Sequence, residues 1–513
     1  MKKRLLALLL TGIVVCSACA QTQGDSSENS TSQESQTDLP AQTDAEPEES
    51  QSSGQSIPVI TVERRQLQRW TPDNETLLAE VAWDNMTLEG DGYEKAAETV
   101  SRLLSSDEEE MAGTADSYAE MAVDQYEAQK DEGWFANYIF STSYSIARLD
   151  TRILSVSGNT YDYSGGAHGY GYGWGLTIDL QSGAELELSR MAADAPGFWK
   201  KVMELVLLDL KNREDELYED YESYVKEGLE STGWYLDAAG IEFVFTPYEI
   251  GPYASGNIIV CVPYAEVADY MKPEYLAPEG EYILPVPLGK EVSDAEGVYH
   301  VLIENRQVEE YMWETVLQVN GRHEISLGDV ALQSAYLLHR ADGRTFLIFD
   351  IDWASDDYET LVYELTEQDA EEKASIGAKL DGRNVRLDKL NLIFTVDVLG
   401  TYSSEMYYTL GEEGELTPQE EVYQIKVYPE SKGLTLIRQL PVTVEGQETI
   451  LPEGSRLHVS ATNWENTIWF EAVTPSGETV TGEIYYERPE EDYQIYIDGV
   501  SEYEYFEMLP YVG

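Results

Sequence analysis

Residues 164–191 read SGGAHGYGYGWGLTIDLQSGAELELSRM. The glycines of Ser164-Gly165-Gly166-Ala167-His168-Gly169 permit backbone conformations closed to other residues and let a neighbour approach closely. Leu176 to Leu180 then has strand character, with Gln181-Ser182-Gly183 as its turn. Upstream, the pattern predicts strands at 59–68 and 76–87 around a Pro-Asp-Asn turn, and strands again at 134–149 and 151–161. Between them, Tyr93, Ala96, Ala97, Val100, Leu103 and Leu104 recur at helical spacing, and a second helix is predicted over 112–130 with Met121, Ala122 and Tyr126 on one side. Downstream, Phe198, Val202, Leu205, Leu208 and Leu217 predict one long helix over 195–229, followed by strands at 234–236, 241–246 and 256–263. Strands and helices without a regular βαβ alternation argue α+β for residues 58–287.

From 288 to 420 the chain reads as β-rich, with short strands at 335–340, 345–350, 360–365 and 391–398. Asp342-Gly343 and Asp381-Gly382 suit tight hairpins. The last unit, 421–513, holds TILPEGSRLHVSATNWENTIWFEAVTPSGETVTGEIYY at 449–486, which resembles a small SH3-like β-barrel through its Leu-Pro-x-Gly turn and Leu-x-Val strand.

The N-terminus bears on location. Lys2, Lys3 and Arg4 precede an apolar run from Leu5 to Val15, too short for the roughly twenty apolar residues of a spanning helix and of signal-peptide size. Ser17 and Ala18 before Cys19 resemble a lipobox, with Cys16 where Leu, Val or Ile is usual. That resemblance implies cleavage after residue 18 and a diacylglyceryl thioether on Cys19, anchoring the chain to the outer face of the cell membrane. Residues 19–57 are Ser, Gln, Thr, Asp and Glu rich without Lys or Arg, and read as a disordered tether. Cys261 is then the one thiol left of three cysteines, so no internal disulfide is expected. Its place in the run Ile258 to Val262 reads as core.

Lys and Arg number 33 against 96 Asp and Glu, a net charge of −63. Such a field repels nucleic acid and favours solubility or cationic partners. The chain has no G-x-S-x-G, H-E-x-x-H or P-loop, and its glycines at 169, 171, 173 and 175 match no such motif. Its histidines, at 168, 300, 323, 339 and 458, form no pair at metal-ligand spacing. Asp350, Asp352, Asp356, Asp357 and Glu359 form the densest carboxylate cluster but lack the glycine and spacing of a calcium loop. No enzyme activity, cofactor or metal is expected.

Residues 164–191, together with WYLDAAGIEFVFTPYEIGPYASGNIIVCVPYAEV at 234–267, resemble the extracellular module of the RsiV type, DUF4163 followed by DUF3298. The likeness rests on the Gly-Gly-Ala-His-Gly loop, a strand ending in a Gly turn, and Pro-Tyr-Glu-Ile-x-Pro-Tyr, and covers under half the chain. In relatives of this type the module binds lysozyme outside the cell. In certain peptidoglycan deacetylases its first half sits beside a separate catalytic domain. The resemblance therefore implies a non-catalytic surface binding module for lysozyme or another cationic protein, with peptidoglycan as the second ligand class and a wall-modifying enzyme as the third. His168 reads either as a partner contact or as a residue fixing two strands. Tyr248, Pro252 and Tyr253, on a proline-punctuated bend, read either as exposed recognition anchors or as corner packing. Mass spectrometry of the membrane fraction should find Cys19 acylated and N-terminal, and Cys19→Ala should release the protein from the membrane. An unmodified terminus retained in cytosol contradicts the anchor.

Overall fold

The computed structural model describes residues 56–511 except 74, 131–134, 279, 294–298, 310–311, 354–356, 367–368, 426–432 and 490–493. The expected signal segment 1–18, Cys19, the expected tether up to residue 55, and Asp356 lie outside the described residues.

Strands β1 (Val59–Trp70) and β2 (Leu77–Glu89) form the expected antiparallel hairpin. Helix α1 (Glu94–Leu104) buries Ala96, Val100 and Leu104 in one core with Tyr93, Met86 and Leu88. Helix α2 (Glu108–Gln129) starts four residues before the expected position because Asp107 caps it, accepting from the Glu109 N–H at 2.8 Å. Glutamates at 108, 109 and 110 then meet the positive end of the helix dipole. Its buried stripe is Met111, Ala115, Tyr118 and Ala122, which leaves Met121 exposed rather than on the packed side. The two helices form the crossover that lets β3 (Tyr138–Asp150) lie parallel to β2, from Ala79 opposite Tyr138 to Trp83 opposite Thr142. Strands β4 (Ile153–Tyr163), β5 (Tyr170–Asp179) and β6 (Ala184–Glu185) extend the sheet antiparallel.

The long helix expected over 195–229 is broken. A short α3 (Leu188–Met191) precedes α4 (Ala195–Lys211), and α5 (Tyr221–Gly228) follows a 3-10 turn at Glu214–Glu216. Three consecutive acids just past the negative end of α4 oppose its continuation. The Tyr218 N–H is instead captured by the Ile250 carbonyl at 2.9 Å. Helix α4 buries Phe198, Val202, Val206 and Leu210 against a second core containing Phe243, Phe245 and Val260. These come from a separate three-stranded sheet, β7 (Gly233–Leu236), β8 (Gly240–Phe245) and β9 (Ile258–Pro263).

Why that sheet lies over β5 is written in the alternating glycines. A Cβ on Gly175 would sit 2.2 Å from the Trp234 carbonyl oxygen, and one on Gly173 would sit 3.0 Å from Val244. The Leu236 N–H also donates to Ser155 Oγ at 2.8 Å, tying β7 to β4. Behind the junction, the Arg148 guanidinium is fully buried and paired with Asp150 at 2.8 Å. It also donates to the Tyr275 carbonyl and the Tyr264 hydroxyl, and Asp150 Oδ1 accepts from the Arg152 and Ile153 N–H groups.

Strand pairing runs across residue 287. β10 (Tyr282–Pro285) pairs with β3 on one edge and, on the other, with Ala331–His339, which continues into strands Thr345–Asp352, Tyr358–Leu365 and Ala370–Ile376. Segments Val292–Ser293, His300–Glu309, Met312–Val319 and His323–Gly328 form a four-stranded sheet of their own. A further 11-stranded sheet starts at Lys379–Leu380 and runs across residue 420, where Ser404 pairs with Ile425. Its strand order is open, ending at Gln447–Leu451, and among the described residues no closed barrel forms. The Asp342-Gly343 pair does make a hairpin, with Gly343 at φ +83°. Asp381-Gly382 instead opens a longer loop, because the buried Asp381 carboxylate accepts from Arg383 Nε, Asn384 Nδ2 and Asn391 Nδ2.

Gly175→Ala should lower stability by about 3 kcal/mol, the upper part of the range for overpacking. Gly171→Ala, whose Cβ would have its nearest neighbour at 3.6 Å, should stay within about 0.5 kcal/mol. Denaturant unfolding of both variants checks this; equal effects contradict the close approach.

Candidate functional site

The Gly-Gly-Ala-His-Gly loop between β4 and β5 and the Pro247-to-Gly256 bend between β8 and β9 meet at one end of the glycine-lined junction. His168 stacks on Tyr253, centroids 4.2 Å apart at 24°. Tyr253 lies 5.9 Å from Tyr248, and Tyr248 is stacked with Tyr170 at 6.4 Å and 9°. Tyr170 in turn lies 5.6 Å from Tyr172. The structure thus brings His168, Tyr248 and Tyr253 into one aromatic surface, and exposed Pro252 flanks Tyr253 in the same bend. The surface is open to solvent: His168 is exposed, and Tyr248 is 52% and Tyr170 38% exposed.

Hydrogen bonds fix both loops. His168 Nδ1 donates to the Gly169 carbonyl at 2.9 Å. Tyr163 OH donates to the Gly166 carbonyl, and Tyr170 OH to the Pro247 carbonyl. The Gly173 N–H donates to Asn257 Oδ1 at 2.9 Å, joining β5 to the strand after the bend. Tyr248 holds φ +71°, a left-handed conformation costly for an aromatic residue. Its N–H donates to the Gly251 carbonyl, and the Glu249 N–H to the Thr246 carbonyl.

Beside this surface, between the two sheets, lies a cleft of about 280 Å³ lined by Ser143, Ser145, Ser157, Asn159, Trp174 and Asn257 among others. Tyr170 and Tyr172 belong to the site although loop reading passes over them; the Tyr-Gly alternation of 169–175 was the available signal. Among the described residues, the acidic side chains around 350 form no metal-ligating group. Asp350 is buried and accepts from Ser334, with burial raising its pKa, whereas Glu359 accepts from Trp353 Nε1 at 2.9 Å.

A second constellation was not read from sequence. Cys261 does not enter the core with Ile258, Val260 and Val262. It is half-buried on the other face of β9, opposite Glu242 on β8. Among the described residues, Asp237, Glu242 and Cys261 bring three metal-ligating atoms within 4.8 Å of one another. Lys290 Nζ lies 2.6 Å from Glu242 Oε1 and 3.4 Å from Asp237 Oδ2. Burial pushes the Asp237 carboxyl up to about 7, with the Glu242 charge adding and Lys290 opposing. Glu242 is held below its ordinary value: burial opposes this, but Asp237 and Lys290 outweigh it. Burial and the two acids raise the Cys261 thiol, so it is a poor nucleophile.

Residues 201–265 match the family DUF3298, described as a protein of unknown function. The chain carries a DUF3298 domain. Residues 87–170 match a second family, described as Deacetylase PdaC. His168 falls in the second match and the Tyr248–Tyr253 bend in the first, so the aromatic surface forms where the two matched segments meet. Among solved structures, a DUF3298 family member from Bacteroides fragilis NCTC 9343 is similar at 16% identity and TM-score 0.34, over 42% of this chain and 96% of that one. A DUF3298 family protein from Pseudomonas aeruginosa PAO1 is similar at 20% identity and TM-score 0.30, over 44% and 99%. No curated protein matches the chain.

Asp237 binds its proton more tightly folded than unfolded, where its ordinary value is 3.8. The native state therefore holds more protons between about pH 4 and 7, and its contribution to stability is lost as pH rises through that window. The groups facing it are Glu242, Lys290, Cys261, Tyr235 and Tyr264. The fall in unfolding midpoint from pH 5 to 8 should be smaller in Asp237→Asn than in wild type. An equal fall contradicts the assignment.

Proposed function

We propose that the chain is an extracytoplasmic binding protein, lipid-anchored through Cys19. In this reading residues 58–287 are an RsiV-type module, DUF4163 followed by DUF3298, that grips a cationic protein of the lysozyme kind. The observation that carries it is the stacked surface of His168, Tyr253, Tyr248 and Tyr170, built from two loops and left in water. Tyrosines offer large amphipathic area with little rotamer entropy to lose, which suits them to recognition. The net charge of −63 supports a cationic partner, since opposite fields raise the encounter rate. It disfavours nucleic acid.

A second reading is supported by the cleft beside the patch. Its serine hydroxyls and asparagine amides next to Trp174 and Tyr235 are the groups that bind sugar rings, and peptidoglycan glycan is the corresponding ligand. The SH3-like reading of the C-terminal strands belongs with this alternative. Sedimentation with purified sacculi separates the two, because a protein-binding surface need not sediment.

Immobilised mature protein should bind lysozyme with an association rate that falls as ionic strength rises. Tyr248→Ala and Tyr253→Ala should each cost about 2 kcal/mol, roughly thirtyfold in Kd. No binding at low salt, or binding indifferent to both substitutions, removes this partner.

A further inference from the structure

The pocket formed by Asp237, Glu242 and Cys261 lies apart from the aromatic surface and has no part in the proposed binding. Its three donors are positioned by regular structure. Glu242 and Cys261 are direct cross-strand partners on β8 and β9, which puts their side chains side by side. Asp237 sits in the β7–β8 turn, where Oδ1 accepts from the Ala239 and Gly240 N–H groups at 2.7 and 2.8 Å. That turn spends one carboxylate oxygen on the backbone and leaves Oδ2 for the pocket.

Two features of this arrangement point to a ligand. Glu242 is fully buried, and its Oε2 has no hydrogen-bond partner. A buried acceptor left unsatisfied costs about 1–3 kcal/mol, and a cation entering among the three donors would relieve it. With Asp237 ionised, two carboxylates face the single ammonium of Lys290. Lys290 is about a third exposed, and its flexible stem can carry the ammonium outward to the rim.

We propose that Asp237, Glu242 and Cys261 form a binding site for a thiophilic divalent cation of the zinc class, with the Lys290 ammonium as the cation it displaces. One sulfur and two carboxylates suit zinc, cadmium or cobalt. Calcium and magnesium, which require oxygen ligands throughout, are disfavoured by the thiol. The exchange balances: the dication enters, the Cys261 thiol and Asp237, where it is protonated, give their protons to solvent, and Lys290 moves to the rim still charged. Starting from ionised Asp237 the group passes from one net negative charge to none, with one proton released; starting from protonated Asp237 it stays neutral, with two released. The three donor atoms draw together from within 4.8 Å to the roughly 3.5 Å separation of tetrahedral ligands.

The test uses the chain from residue 20 onward, in which Cys261 is the sole thiol. Cobalt(II) titration should produce a thiolate-to-metal charge-transfer band that zinc bleaches by competition. Cys261→Ser should abolish the band, and Glu242→Gln should weaken binding about tenfold or more. Lys290→Met should tighten it, because the competing cation is gone. Thermal midpoints measured without metal establish that each variant is folded. No band from the folded wild type, a band that survives Cys261→Ser, or weaker binding in Lys290→Met overturns the proposal. In the first case the shared proton of Asp237 and Glu242, not a metal, satisfies Oε2.

Discussion

The architecture of the aromatic face depends on one steric fact: the absence of side chains at Gly173 and Gly175 lets the β7–β8–β9 sheet approach β5 closely. At Gly175 the neighbour is backbone, the Trp234 carbonyl, which cannot rotate away as a side-chain tip can. This contact sets the distance between the sheets, and hence where the His168 loop and the Tyr248–Tyr253 bend come to rest. Asn257, bonded to the Gly173 N–H, carries the same constraint to the strand that leaves the bend. Aromatic stacking between His168 and Tyr253 then closes the junction at its open end, and such pairs contribute about 0.5–1.5 kcal/mol beyond area burial. The stack follows from the approach of the sheets; it is too weak to cause it.

Electrostatics divides in the opposite way to packing. Among the described residues most acidic side chains reach solvent, where their charge costs little, although the buried charges are also acidic apart from Arg148. Inside, the few buried charges are tied to local geometry. Arg148 and Asp150 lie two residues apart on β3, and between them they bond a turn, a carbonyl and a phenol. Removing either partner would strand a buried charge, so this pair fixes where the segment around Tyr264 and Tyr275 meets the sheet. In the Asp237, Glu242 and Lys290 group, as at Asp350, one buried carboxylate oxygen has no hydrogen-bond partner.

Local features were legible in the sequence. The first hairpin follows from alternation and its turn, α1 from the spacing of Tyr93, Ala96, Val100 and Leu104, and the Asp342-Gly343 hairpin from turn chemistry. His168, Tyr248 and Tyr253 stood out because glycine and proline mark the loops that carry them. What escaped was non-local or depended on a competing partner. The helix after Ala195 breaks because Ile250, far along the chain, takes the Tyr218 N–H. Strands near 283 and 337 pair across a stretch that composition divides. Cys261 lies in an apolar run, yet strand alternation turns it toward Glu242, and the fourth member of that group is Lys290 from another segment. Glycine periodicity on β5 was visible, but its reason is a backbone approaching from sixty residues away, roughly the spacing of Gly175 and Trp234.

The claim that the close approach of two sheets assembles one aromatic surface is tested most directly by NMR of the His168 ring. In protein with carbon-13-labelled histidine, the resonance assigned by loss in His168→Gln should show nuclear Overhauser contacts to the Tyr253 ring and an upfield ring-current shift. Both should vanish in Tyr253→Leu. A His168 resonance at its free-imidazole position, without contacts to Tyr253, would contradict the account.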